Sequence, residues 1–129
     1  MKYLCMIYCD ERALDALPRS EYERLVAEAL AYDEELRRGG HFVMGQALER
    51  SHAAATLRVR SSSVATTDGP FAETKEQLGG FILVEARDLN EAIQLASRIP
   101  PARFGAVEVR PVRDLARPHA EGDGIESGQ

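Results

Sequence analysis

The residues best suited to chemistry lie in one short segment, residues 68–76, which reads DGPFAETKE. Its ionisable side chains are Asp68, Glu73, Lys75 and Glu76. A partly desolvated carboxylate has a raised pKa and can transfer protons, while a lysine can bind an anionic group or keep a carboxylate ionised. We therefore predict these four as candidate catalytic residues, on the condition that the fold gathers them in a concave site.

A structural role is the competing interpretation of this segment. Asp-Gly-Pro-Phe is typical of a tight turn, in which the Asp68 carboxylate caps nearby amides and Phe71 anchors the turn in the core. In the functional interpretation, Gly69 and Phe71 contact a ligand instead. Tyr8 could hydrogen-bond that ligand from the first strand, and His52 belongs to a loop that could fold over it. These four are the candidate ligand-binding residues.

The histidines and cysteines give no metal or redox signature. His41 is predicted at a strand edge, His52 in a loop and His119 in a terminal tail, without metal-ligand spacing. Cys5 and Cys9 would share one face of a strand about 13 Å apart, which is too far for a disulfide. We predict reduced, mostly buried thiols, with Cys9 nearer to solvent. Nucleotide-binding and acyl-transfer motifs are missing from the sequence, and we expect no metal and no cofactor.

Composition argues against several classes of protein. The net charge of -5 is spread along the chain, so the sequence offers no basic surface for nucleic acid. No apolar run approaches the roughly 20 residues that cross a bilayer, and residues 3–8 are too few for a signal peptide. We expect a cytoplasmic protein that binds neither a membrane nor nucleic acid directly.

Periodic apolar patterns predict the order β-α-β, inserted hairpin, β-α-β. The capping boxes Ser20–Glu23 and Asp88–Glu91 should begin the two helices, and a polar connection at residues 10–19 precedes the first. The helices should end at Gly39-Gly40 and at Pro100-Pro101. The four main strands are predicted at residues 2–8, 41–48, 80–85 and 106–112.

The hairpin is predicted at residues 54–60 and 64–67, with Leu57 and Val59 pointing inward. Residues 73–78 are predicted to form one helical turn. The whole order predicts an α+β fold, a ferredoxin-like split βαβ sheet with an inserted β-hairpin. The domain should span residues 1–115, followed by a flexible tail at 116–129 that is rich in Gly, Glu and Asp.

The first and third main strands are apolar on both faces, over residues 3–8 and 81–84. Such strands are typical of sheets covered on both sides, yet two helices can cover only one face. Tyr3 and Tyr8 must point to opposite faces. We predict that a second copy of the sheet covers the other face, which makes the protein a homodimer.

Three stretches carry a resemblance to a known family: the opening MKYLCMIYCDE, the segment DGPFAETKEQLGGFILVEA and the close GAVEVRPV. They resemble the DGPF group of YCII-related proteins over nearly all of residues 1–112. The resemblance implies the dimeric α/β-barrel form of the ferredoxin-like fold. It also implies a link to extracytoplasmic-function sigma factors, because many members are encoded beside them or fused to them.

The chain departs from the family pattern at two places. YCII-like members carry a His in the first helix, within a stretch like His-Leu-Ala-Tyr-Leu, proposed to pair with an Asp as an acid–base site. The matching residues 29–33 read Ala-Leu-Ala-Tyr-Asp here, so Ala29 stands where that His would be. Ile99-Pro100-Pro101 replaces an Asp-Pro-Phe pattern. We therefore do not expect that His–Asp chemistry.

Three functions remain open from the sequence. The first is a homodimeric small-molecule-binding protein linked to sigma-factor regulation. The second is an enzyme that performs acid–base chemistry, such as elimination or isomerisation, on a small acidic or cyclic substrate. The third is a structural or interaction module whose sheet face only dimerises. A polar cavity lined by Asp68 and Lys75 would favour the first two.

Overall fold

The computed structural model describes residues 1–116. The predicted tail, except for Ala116, and His119 lie outside the described residues. Short 3₁₀ turns lie at Ser51–Ala53 and Pro100–Phe104. The helices and strands are β1 (Lys2–Asp10), α1 (Glu11–Asp15), α2 (Arg19–Arg38), β2 (Phe42–Ala47), β3 (Ala55–Arg60), β4 (Ser63–Asp68), β5 (Glu76–Glu85), α3 (Leu89–Ala96) and β6 (Gly105–Pro111).

The main sheet has four antiparallel strands in the order β2-β5-β1-β6, while β3 and β4 pair in a separate two-stranded sheet. This confirms the predicted α+β ferredoxin-like fold with an inserted hairpin, the protomer fold of the dimeric α/β-barrel class. Among residues 1–116, no helix combines the length and the apolar character that a bilayer crossing requires.

The core lies between the helices and one face of the main sheet. Along β1, side chains alternate strictly, and Tyr3, Cys5, Ile7 and Cys9 are buried on the helix side. Both thiols are free and buried, as predicted. Cys9 is 3% exposed and Cys5 0%, which is the predicted order, but both stay buried because β1 continues to Asp10.

Helix α2 begins differently from the prediction. Pro18 is its N-cap and no side chain caps it, so Ser20 already lies inside the first turn and the predicted capping box does not form. Glu23 instead pairs with Arg19 at 3.4 Å on the surface. The helix ends as predicted, because Gly40 accepts the left-handed conformation at φ 79°.

The connection predicted at residues 10–19 contains the short helix α1. The Asp10 carboxylate caps it by accepting hydrogen bonds from the amides of Arg12 (3.1 Å) and Ala13 (3.3 Å). Leu14 anchors this helix in the core. Five residues with one buried apolar side chain are too short for a helical period to be visible in the sequence.

Two further predictions about the middle of the chain are wrong. Leu57 and Val59 do not point into the protomer, because their hairpin is a separate sheet and they are 59% and 63% exposed. Residues 73–78 form no helical turn, because β5 already begins at Glu76, where it pairs with Asp10 of β1.

Candidate functional site

A concavity lies on each face of the main sheet. The face away from the helices, which we call the open face, has a shallow pocket of about 510 Å³ at the ends of β1, β5 and β6. On the other face, a cavity of about 380 Å³ lies between α2, β2 and the strands beneath them. We call it the helix-side cavity. Both volumes are in the range of small-molecule sites.

The open-face pocket contains part of the predicted site. Tyr8, Lys75 and Glu76 line it, together with Thr74 and Glu108. The Lys75 side chain is 84% exposed, and its Nζ lies 4.0 Å from Asp10 Oδ2. An ion pair of this exposure contributes little, so the predicted lysine is held only loosely.

The other predicted residues do not line this pocket. Phe71 is 75% exposed beneath the Arg58 guanidinium, 5.2 Å from the ring centroid, so the predicted core anchor is wrong. Gly69 turns the chain at φ 102°, close to the Glu73 carboxylate.

Asp68 is exposed at the end of β4, and among residues 1–116 no amide is seen to donate to its carboxylate. His52 is exposed in the Ser51–Ala53 turn. Within the part of the chain that the structure describes, no three His, Cys, Asp or Glu side chains are grouped to hold a metal.

The helix-side cavity was not predicted from the sequence. It has a floor without side chains where β2 and β5 meet, at Gly45, Gly79 and Gly80. Gly80 allows the two strands to approach, because a Cβ there would lie 2.8 Å from the Gln46 carbonyl oxygen. The walls are mainly apolar and include Leu14, Leu25, Val26, Ala29, Leu30, Ile82, Ile99, Pro100 and Pro101.

One stripe of α2 forms the outer wall of this cavity. Tyr22, Val26 and Leu30 follow each other at four-residue spacing and remain 38%, 41% and 62% exposed. They stay exposed because β2 is the edge strand of the main sheet and the hairpin pairs only with itself. A helix face that is apolar but incompletely covered leaves room for a ligand.

The segment after β2, residues 48–51, contributes to the wall of the cavity, and we call it the strap. The Arg50 guanidinium lies 3.0 Å from Asp15 Oδ1 on α1. The Ser51 amide and hydroxyl both donate to the Glu11 carboxylate, at 2.8 Å and 2.7 Å. Leu48 and Arg50 themselves line the cavity. The short helix α1 therefore fixes the strap, and with it one wall of the cavity.

Asp33 is the carboxylate in the cavity wall, and it is half-buried. Burial raises the pKa of Asp33. The positive charge of Arg37 lowers this pKa in part, and the negative charge of Glu34 raises it further. Among residues 1–116, no hydrogen bond or ion pair is seen at this carboxylate. A signal was present in the sequence, since Asp33 continues the stripe of Tyr22, Val26 and Leu30 at helical spacing.

Comparisons with known proteins agree with the fold. The model of the YCII-related domain matches residues 1–116. The chain belongs to the YCII-related family. An uncharacterised protein of Rhizobium meliloti (strain 1021) is 37% identical over 114 residues, which cover 87% of this chain and 92% of that protein.

A solved structure with a similar fold is 5-chloro-2-hydroxyhydroquinone dehydrochlorinase from Burkholderia phenoliruptrix, in complex with 2,5-dihydroxybenzoquinone. The TM-score is 0.52 at 19% identity, covering 95% of this chain and 99% of that chain. At this identity the likeness concerns the fold alone.

The two departures from the family pattern meet in the helix-side cavity. Ala29 and the run Ile99, Pro100 and Pro101 all line it. The cavity wall thus has apolar side chains at these positions. Asp33 lies one helical turn after Ala29 and is the carboxylate that remains in the wall.

The Asp33→Asn variant is expected to be more stable than wild type at neutral pH. The folded-state pKa of Asp33 lies above its unfolded value of about 3.9, so ionisation opposes folding once the pH exceeds that value. Below both pKa values each state is protonated, and the advantage of the variant should vanish. Urea midpoints of both proteins at about pH 7 and about pH 3 measure this difference.

Glu23→Gln is the matched control, because it removes a carboxylate that is 68% exposed on the same helix. It should show no comparable gain at neutral pH. An Asp33→Asn urea midpoint equal to or below that of wild type at neutral pH would contradict the raised pKa of Asp33.

Proposed function

We propose that this protein binds a small, largely apolar molecule of one or two rings in the helix-side cavity. The observation that carries the proposal is a single half-buried carboxylate, Asp33, in the wall of an otherwise mainly apolar cavity of about 380 Å³. Apolar walls with a few placed polar groups are typical of small-molecule sites. The dihydroxybenzoquinone bound by the structurally similar dehydrochlorinase is a molecule of this size class and adds support.

The helix-side cavity is favoured over the open-face pocket for two reasons. Its walls come from α1, α2, the strap and the sheet, whereas Lys75 at the open-face pocket is 84% exposed. A ligand at the open face would also have to share that face with a second copy of the chain. Two sets of predicted roles remain proposals with less support than the helix-side site. They are catalysis by Asp68, Glu73, Lys75 and Glu76, and ligand binding by Tyr8, Gly69, Phe71 and His52.

The protein is also proposed to be a homodimer that pairs through the open face. Leu4 lies opposite Leu83 and Met6 opposite Phe81 across β1 and β5, so these four apolar side chains share the face away from the helices. None of the four is fully buried in the protomer. A contiguous apolar patch of this kind is typical of a protein–protein interface.

Light scattering after size-exclusion chromatography should therefore give twice the mass of one chain. Met6→Asp should give the mass of one chain, because a charge in the centre of an apolar interface has no partner. Ala27→Asp, at an exposed position of α2, should remain dimeric. A monomeric wild type would contradict the proposal.

An enzyme is the second candidate, and the raised pKa of Asp33 is the observation that favours it. A carboxylate of this kind can transfer a proton to or from a bound molecule. Turnover that Asp33→Asn abolishes, while the same molecule still binds, would favour the enzyme over the binding protein. The link to sigma factors rests on the family resemblance alone, and the cytoplasmic location rests on the sequence alone.

The cavity can be tested by filling it. A thermal-shift screen of one- and two-ring metabolites should identify molecules that stabilise the wild type. Ala29→Leu should weaken their binding at least about tenfold, because the larger side chain projects into the space that the ligand occupies. Ala27→Leu makes the same chemical change at an exposed position outside the cavity and should leave binding unchanged.

Two outcomes would contradict the helix-side site. One is equal ligand stabilisation of wild type and Ala29→Leu. The other is loss of stabilisation in Asp68→Ala with full retention in Ala29→Leu, which would move the site to the segment at residues 68–76.

A further inference from the structure

Several polar side chains that line the helix-side cavity are already engaged within the protein. The Tyr32 hydroxyl donates to the Leu95 carbonyl at 2.6 Å, and the Cys9 thiol donates to the Pro101 carbonyl at 3.5 Å. Asp33 differs from them, since no donor from residues 1–116 is seen at its carboxylate. A half-desolvated carboxylate without a donor is the group that gains most from a ligand that brings one.

The charges around the cavity are unevenly matched. Arg50 is the cation in the cavity wall, and it pairs with Asp15. Glu11 is a second carboxylate beside the strap, where Ser51 donates to it. The Arg50 guanidinium is therefore already paired and is not seen at Asp33.

Arg37 is the guanidinium that acts on the pKa of Asp33, but it is committed elsewhere. It forms an ion pair with Glu34, and it also lies 4.2 Å from the centroid of the Phe42 ring. Arg37 and Arg50 thus have carboxylate partners of their own, and among residues 1–116 no cation is seen paired with Asp33. An anionic ligand would add a like charge beside it, whereas a cationic ligand would supply the missing partner.

We propose that the ligand of the helix-side cavity is an apolar ring compound that carries an amine, with its ammonium group directed at Asp33. The apolar walls take the rings, and the ammonium donates to the carboxylate. The proposal rests on the proposed function, since it names the ligand class of the same cavity. A site that binds an organic acid would instead place an unpaired cation in the cavity wall.

A matched trio of probes tests the ligand class. Naphthalen-2-ylmethylamine, naphthalen-2-ylmethanol and 2-naphthoate have similar rings and differ in the charge of one substituent. Calorimetric titration of the wild type near pH 7 should give the tightest binding for the amine, at least about tenfold tighter than the alcohol, and the weakest for the carboxylate. Asp33→Asn should bring the amine and the alcohol to similar affinities. Glu23→Gln should keep the preference for the amine.

The outcomes separate this proposal from the proposed function. Binding of 2-naphthoate as tight as the amine, abolished by Ala29→Leu, would overturn the ligand class and leave the cavity as the site. A preference for the amine that persists in Asp33→Asn would also overturn it. If the wild type bound none of the three probes, the proposed ligand class would be wrong. A comparison of wild type and Ala29→Leu across the wider metabolite panel would then test whether the cavity is the binding site.

Discussion

The alternation of side chains along β1 is the constraint on which the other features of the protein depend. This interior strand sends Tyr3, Cys5, Ile7 and Cys9 to the helices, and it sends its remaining apolar side chains to the open face. A shift of its register by one residue would exchange the two sets and expose the core. Both concavities follow from this division, because each lies on one face of the sheet that β1 helps to form.

Much of the fold could be predicted from the sequence, because it is determined by patterns that extend over many residues. The two-sided apolar character of β1 and the period of α2 predicted the main sheet and its helices. Local signals were less reliable: Ser20 matched a capping box, but the observed N-cap is Pro18, two residues earlier. Helix α1 was missed because it has a single buried apolar side chain.

The candidate site was harder to predict than the fold. The segment at residues 68–76 has many charged side chains, yet the chain spreads them over an exposed turn, and Phe71 reaches solvent. The cavity arises instead from glycines that meet across β2 and β5 and from a helix stripe left uncovered at the sheet edge. Such space depends on tertiary packing, which no local motif records. Asp33 could have been noticed, because a carboxylate on an apolar stripe is unusual.

The same residue connects stability and function in this account. A half-buried carboxylate that shows no partner among residues 1–116 is unfavourable for the protein alone, and such groups are characteristic of functional sites. In this chain the positions of the family's His and Asp pattern are apolar, at Ala29 and at Ile99 to Pro101. Asp33 lies in the cavity wall one turn further along α2. This carboxylate is the group that we propose to accept a hydrogen bond from the ligand.

The most direct measurement of the central claim is a titration followed by methyl NMR on the isoleucine- and leucine-labelled protein. Naphthalen-2-ylmethylamine should shift the methyl resonances of Leu25, Ile82 and Ile99, which line the helix-side cavity. The methyl groups of Leu4 and Leu83, which pair on the open face, should remain unchanged. Shifts confined to Leu4 and Leu83 would contradict the account, because they would put the ligand on the opposite face of the sheet.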